Sequence, residues 1–248
     1  MLKNILLDST ASNTNTATTI DIGDASTQIT FAADEISNEK QEEYFTLKIP
    51  KWENQQFNFT LKTASQLLGQ DVSRQEILDS EVKDGASFTA CFNAGYNKFD
   101  AIINRNIIGQ GKPEECINQI RNLFQISNCK FPEQQECNTK SIFVKGPQRK
   151  LHMQSVLLYI PEFNAHELRR AAIEFCKYNF QDIMAKEPKN KYIDNKCYQG
   201  LYVSTLLIDG YGVGNMVLQA PQAIQSQEPT WALGFLLFKL WQKQCNFN

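Results

Sequence analysis

The sequence is poor in the residues that build metal and nucleic-acid sites. Only two histidines, His152 and His166, occur in 248 residues. No two cysteines form a Cys-x-x-Cys pair, and neither histidine completes a zinc-binding spacing. Charge of one sign is also missing: 25 basic residues face 27 acidic ones, for a net charge of −2. Lys and Arg are scattered singly or in short groups such as Gln148-Arg149-Lys150. Without a basic stripe there is no footprint for a nucleic acid. Long apolar runs are absent as well. The opening "MLKNILLDST" has too short an apolar run for a signal peptide. The stretch "TWALGFLLFKLW" is too short for a membrane span and carries Lys239. No internal repeat is present.

What remains is a soluble, globular composition, 42% hydrophobic and 21% charged. The length fits one large domain or two small ones, with a substantial core. The seven cysteines (91, 116, 129, 137, 176, 197, 245) are many for a cytosolic domain. Three sequential pairs with one left over suit a disulfide framework in an oxidising compartment; the alternative is seven buried thiols. The glycosylation acceptor Asn58-Phe59-Thr60 agrees with the first reading.

Residues 9–19 are a polar loop tract. Residues 19–22, 27–33, 43–50 and 56–62 alternate as four strands of a meander. The next segment, "TASQLLGQDVSRQEILDSEV", reads as helical with an interruption at Gly69. Residues 84–150 read as loop-rich around one amphipathic helix, "KPEECINQIRNLF". There Pro113 suits the first turn, and Cys116, Ile117, Ile120, Leu123 and Phe124 share a face. "SVLLYI" fits either a buried strand or a short helix. Residues 164–184 read as one helix capped by Asn164, with Leu168, Ala172, Phe175, Cys176 and Ile183 in a stripe. Two further helices are predicted over 197–208, ended by "DGYG", and over 229–243. Strands first, then helices with glycine corners, predict an α/β domain with a mixed sheet.

The chemistry concentrates in residues 18–31, "TTIDIGDASTQITF". A tight strand-to-strand turn can offer backbone N–H groups to phosphate, and a carboxylate at the strand end can hold a metal or its waters. Asp21, Gly23, Ser26 and Gln28 stand in that order, with Gly23 allowing close backbone approach. The same acid-glycine-serine corner is also ordinary hairpin chemistry.

Further motifs follow in order: "ACFNAGY", "IIGQGKPEECINQIRNLFQISNCKFPEQQEC", "YIDNKCYQGLYVSTLLIDGYGV" and "TWALGFLL". With "IDIGDASTQITF" they resemble, over nearly the whole chain, the ecto-apyrase family of nucleoside triphosphate and diphosphate phosphohydrolases and Golgi nucleoside diphosphatases. The resemblance implies an actin-like (ribonuclease-H-like) α/β fold of two lobes, a mixed sheet flanked by helices in each. It implies hydrolysis of nucleoside tri- and diphosphates with Ca²⁺ or Mg²⁺ and water as direct nucleophile. Asp21 would be the metal-water carboxylate, with Trp231 near the metal's outer shell or, alternatively, a core tryptophan of its helix. Ser26 and Gln28 would position the water; Gly23, Asp24 and Ala25 would bind phosphate. Tyr159 and, more weakly, Tyr211 would stack on the base, although "SVLLYI" has Leu where the family has aromatics. The implied disulfides are Cys91–Cys116, Cys129–Cys137 and Cys176–Cys197. A further family bridge has lost both ends here, at Gln66 or Leu67 and over 100–108. The implied location is the secretory lumen or the cell exterior, anchored or free in full-length form. A sugar kinase of the same superfamily fits the cysteines and the "TWALGFLL" ending less well.

Two departures matter. The family's first phosphate turn and its general-base Glu have no counterpart, and "LKNILLD" resembles the tail of the helix that follows that Glu. The expectation is a C-terminal lobe over residues 1–248, closed by helix 229–243, whose partner is the N-terminal lobe of the same protein. Asp24 also replaces a family glycine. A carboxylate about 5 Å from a phosphate oxygen repels it by roughly 3 kcal/mol at an effective dielectric of 20. The competing expectation is a degenerate lobe that binds nucleotide or a partner and hydrolyses nothing. Loss of a general base typically costs about 10²–10⁴-fold, so the isolated chain should release little phosphate from ADP or ATP with Ca²⁺ or Mg²⁺. A rate near that of a complete family member would overturn this expectation.

Overall fold

A computed structural model describes residues 18–32, 44–49, 57–124, 151–155, 162–190 and 192–219. Period-2 alternation builds its first hairpin. In β1 (Thr18–Ile22) and β2 (Thr27–Ala32), Ile20, Ile22, Thr27 and Ile29 are buried on one face. Asp21 and Gln28 pair across the hairpin on the other face. Pairing then extends outward through β4 (Phe57–Gln66) to β3 (Tyr44–Ile49), all antiparallel. On the other side, β9 (Leu151–Ser155) runs parallel to β1, and β11 (Val217–Gln219) runs parallel to β9. The edge strand β10 (Glu162–Asn164) is antiparallel to β11. The sheet order is β10-β11-β9-β1-β2-β4-β3, the mixed sheet predicted.

Two sequence expectations fail beside this sheet. Residues 63–66 were expected in a helix, but they continue β4 because their backbone pairs with Thr27–Thr30 of β2. The helix begins only at α1 (Gln70–Ser80), with Gly69 as its cap. The section expected to be loop-rich holds a second, four-stranded sheet of order β5-β6-β8-β7. Its strands are β5 (Val82–Lys83), β6 (Ala86–Thr89), β7 (Asn97–Asp100) and β8 (Arg105–Gly109). Asp84 and Gly85 both have positive φ, 51° and 77°, and make the tight turn that an Asp-Gly pair favours between β5 and β6.

The helices pack on one another. Helix α2 (Pro113–Leu123) starts at Pro113 and buries Cys116, Ile117 and Ile120, with Phe124 buried just beyond it. Asn164 caps α3 (Ala165–Lys177) by accepting from the His166 amide at 2.9 Å. The single helix expected over 164–184 is two. Asn179 caps α4 (Phe180–Lys186), and the buried Asn93 side chain donates to Phe175 O at 2.6 Å and Tyr178 O at 3.2 Å, closing α3. Helix α5 (Lys196–Thr205) is apolar almost all round and packs against α1, α2 and α3, as a central helix must. A wider turn over Leu206–Gly210 then leads into Tyr211.

Two covalent ties hold this layer: Cys91–Cys116 joins the chain after β6 to α2, and Cys176–Cys197 joins α3 to α5. Asp209 accepts from Arg169 and from Arg121 (3.1 Å), linking α3 and α2 to the end of α5. Gly200 lets α3 and α5 approach closely, since a Cβ there would lie 2.8 Å from the Ala172 Cβ. Gly200→Leu is therefore expected to lower stability by about 1–3 kcal/mol through overpacking. Denaturant melts would read the loss, and an unchanged midpoint would refute the close approach.

Candidate functional site

The corner Gly23–Ser26 closes on itself, with the Gly23 amide donating to Ser26 O at 3.0 Å. Its other three carbonyls point at the start of α1. Gly69 N donates to Ala25 O (3.0 Å), Gln70 N to Gly23 O (2.9 Å) and Asp71 N to Asp24 O (2.9 Å), and Val72 N adds a longer bond to Asp24 O (3.3 Å). In a planar trans peptide the C=O and N–H of one unit point in opposite directions. Three consecutive units thus aim their carbonyls at α1 and their amides, those of Asp24, Ala25 and Ser26, away from it. None of these amides has an acceptor among the described residues. Successive N–H groups presented by a turn form an anion-binding concavity. Gly69 is required for this docking, because a Cβ there would meet Ser26 N at 2.4 Å and Ala25 N at 2.5 Å.

Side chains surround the turn. Asp21 lies directly opposite Gln28 across the β1–β2 ladder, and Gln154 of β9 takes the register position on Asp21's other side. The Gln28 amide donates to Ser26 Oγ at 2.5 Å, which leaves the Ser26 hydrogen and the Gln28 carbonyl for a further polar group. Burial pushes the half-buried Asp21 carboxyl above its ordinary value of 3.8. Among the described residues no Lys or Arg pairs with it. No group of three or more His, Cys, Asp or Glu gathers among the described residues either.

The sequence profile of the GDA1/CD39 (nucleoside phosphatase) family matches residues 3–246. The chain belongs to this family. It is 23% identical over 255 residues to ectonucleoside triphosphate diphosphohydrolase 1 of Bos taurus, covering 88% of this chain and 48% of that protein. It is 27% identical over 145 residues to ectonucleoside triphosphate diphosphohydrolase 8 of Homo sapiens, covering 54% and 29%. The chain spans about half the length of the curated relatives it matches. A solved structure, a nucleoside triphosphate hydrolase from Neospora caninum, superposes with a TM-score of 0.53 at 10% identity over 83% of this chain and 52% of that one. The fold is thus of the class expected from the sequence.

Within this GDA1/CD39 chain, the structure brings Asp21, Gly23, Asp24, Ala25, Ser26 and Gln28 together at one corner. Asp24 is exposed at its tip, so water reduces the repulsion expected from its carboxylate to about 1 kcal/mol. Tyr211 corrects a sequence expectation. Its ring is 2% exposed and offers no face to a base in this conformation. Burial raises its phenol pKa, the neighbouring Thr27 hydroxyl opposes the rise and the Asp21 charge adds to it, so the ring packs near the corner rather than lining it. Tyr159, Trp231, Cys129, Cys137 and Cys245 lie outside the described residues. Asn58 sits on β4 at the register position of Lys48. Sequence reading missed the residues that carry the corner: Gly69, Gln70, Ser73, Tyr198 and Tyr202. The signal available was Gly69 itself, a glycine breaking a helical pattern without a turn partner in sequence.

A carboxyl whose pKa rises on folding binds its proton more tightly in the native state. Its contribution to stability therefore falls as pH climbs from 3.8 through the raised value. Asp21→Asn should melt slightly higher than the parent at pH 7 in chelator, with the advantage gone below roughly pH 3. Thermal melts across that range would test this, and a variant less stable at pH 7 would contradict it.

Proposed function

We propose that this chain is the C-terminal lobe of a nucleoside tri- and diphosphate phosphohydrolase. The observation that carries the reading is the trio of outward amides on Asp24–Ser26, flanked by Asp21 and the Ser26–Gln28 pair. In this reading the amides and Gly23 cradle the terminal phosphate, while Ser26 and Gln28 orient a water toward its phosphorus. Water forms the new P–O bond, the phosphoanhydride P–O bond breaks, and inorganic phosphate leaves with the shortened nucleotide. The water's proton passes to a base contributed by the N-terminal lobe, which would also add the first phosphate turn. A hard divalent cation suits the corner. Among the described residues Asp21 is one half-buried, uncompensated carboxylate without a closed ligand set, which fits Ca²⁺ or Mg²⁺ keeping most of its waters. When bound, such an ion supplies charge neutralisation to the phosphate oxygens. Trp231 near its outer shell and Tyr159 at the base complete the assignment.

The relatives' names support a nucleotide substrate, and the two buried disulfides support an oxidising location, the secretory lumen or the cell exterior. Among the described residues no helix is long and apolar enough to cross a membrane. One observation favours the second reading, a degenerate lobe that binds without hydrolysing: the carboxylate of Asp24 at a phosphate-facing tip.

Calorimetric titration of the chain with ADP and Ca²⁺ is the direct test. Binding should weaken in Asp21→Asn and tighten about threefold to tenfold in Asp24→Gly, as removal of an exposed like charge implies. Absence of binding at millimolar ADP in both parent and Asp24→Gly would refute the nucleotide reading. Binding without phosphate release after the N-terminal half of a relative is supplied would favour the degenerate lobe.

A further inference from the structure

The corner rests on α1, and α1's first residues rest in turn on a buried set of hydroxyls. Tyr202, 0% exposed on α5, donates to Leu68 O. Ser73, also fully buried, donates to Gly69 O at 2.7 Å. Ser73 Oγ also lies 3.2 Å from Gln70 O and shares a 2.5 Å hydrogen bond with the Tyr198 hydroxyl, which lies 3.1 Å from Gln70 O, so this coupled pair shares two hydrogens among Gly69 O, Gln70 O and each other. Leu68 O therefore has a hydroxyl donor of its own, while Gly69 O and Gln70 O both face the coupled Ser73–Tyr198 pair.

The amides of those same peptide units are Gly69 N, Gln70 N and Asp71 N, the groups that hold the corner. Each unit accepts on one side and donates on the other, and each corner unit repeats the pattern. Three lines result, the second and third joined at the Ser73 and Tyr198 hydroxyls. The first runs from Tyr202 through Leu68 O and Gly69 N to Ala25 O, and so to the Ser26 amide. The second runs from Ser73 through Gly69 O and Gln70 N to Gly23 O and the Asp24 amide. The third runs from Tyr198 through Gln70 O and Asp71 N to Asp24 O and the Ala25 amide. Hydrogen-bonded chains of this kind polarise one another, so the last donor in each is strengthened.

We propose that Tyr202, Tyr198 and Ser73 are positioning residues: through two peptide units Tyr202 orients and polarises the Ser26 amide, and the Ser73–Tyr198 pair together does so for the phosphate-cradling amides of Asp24 and Ala25. This deepens the phosphohydrolase reading and rests on it for the ligand, but the lines themselves exist without nucleotide. A purely structural role for these hydroxyls would affect the three amides alike, whereas the lines give Tyr202 one target and the Ser73–Tyr198 pair the other two.

Amide ¹H–¹⁵N spectra of the nucleotide-free chain read the difference. Tyr202→Phe should move the Gly69 and Ser26 amide protons upfield and leave those of Asp24 and Ala25 in place. Ser73→Ala and Tyr198→Phe should each move the Gln70, Asp71, Asp24 and Ala25 amides and leave those of Gly69 and Ser26 in place. Tyr96→Phe, which removes a buried phenol hydroxyl from the small-sheet core, should move none of them. The parent's affinity for ADP with Ca²⁺ should fall about tenfold in Tyr202→Phe, the loss of one buried hydrogen bond. Equal movement of all three corner amides in every variant, or movement of none, would overturn the proposal. If Tyr202→Phe does not fold, Ser73→Ala decides by the same criterion. Selective shifts in a chain that binds no ADP would uphold the lines and refute the nucleotide reading; ADP binding without selective shifts would do the reverse.

Discussion

The docking of the Gly23–Ala25 carbonyls onto the first amides of α1 is the contact from which the rest of the site follows. A helix N-terminus leaves four amides without intrahelical partners, and they commonly find a capping side chain, water or an anion. Here a neighbouring turn takes Gly69 through Val72. The positive end of the helix dipole therefore acts on the corner's peptide units rather than directly on a ligand. The arrangement also prevents the corner from flipping its peptide planes, because each flip would strand a donor and an acceptor away from water. A glycine at 69 is the steric condition for all of it.

That condition explains why the structure invests so much in fixing α5. The helix carries both tyrosines that hold the 68–70 backbone, and Cys197, bonded to Cys176, immediately precedes Tyr198. One turn later Gly200 permits the close approach to α3, and Asp209 draws in Arg169 and Arg121 beyond the helix end. A tyrosine hydroxyl is a useful anchor only if its ring cannot tilt by more than a fraction of an ångström. Tyr198 and Tyr202 lie 5.7 Å apart, centroid to centroid, and Phe124 of the α2 end packs on Tyr202 at 5.9 Å. The aromatic cluster and the disulfide thus belong to the same mechanical path as the corner.

Legibility followed the range of the interaction. The β1–β2 hairpin, its turn and the candidate residues on it were readable because alternation and turn chemistry are local. So were α2, with Pro113 at its start, and the Asn164 cap. The reading failed where a distant partner decided: Thr63–Gln66 became strand because β2 offered it a ladder, and no property of "TASQ" announces that. The break at Asn179 was written locally as a second cap, but the apolar stripe through Ile183 outweighed it. Asp84-Gly85 likewise carried a hairpin signal that the surrounding cysteines obscured. Tyr211 was misread because a tyrosine beside glycines suits a ligand site and a buried corner equally well; its burial is a tertiary fact. The hydroxyl set on α5 was invisible for the same reason, since Tyr198 and Tyr202, four residues apart, look like any core stripe of a helix.

Among the described residues the corner is electrostatically unbalanced, which supports the proposed phosphate site. Among the described residues Asp21 is held half-buried at a cost with no cation beside it, and three corner amides have no acceptor. Natural folds tolerate such unsatisfied groups mainly where function requires them. A lone carboxylate would be better as asparagine for stability, and lone amides would be better paired. The two deficits have opposite sign and lie at the same turn. On the proposed reading a hydrated divalent cation with a phosphate would satisfy both at once, as neither group alone would. Asp24 sits exposed at the tip, where its negative charge opposes an anion at the amides. Its exposure to water keeps that opposition small, so on the proposed reading the residue weakens phosphate binding without abolishing it.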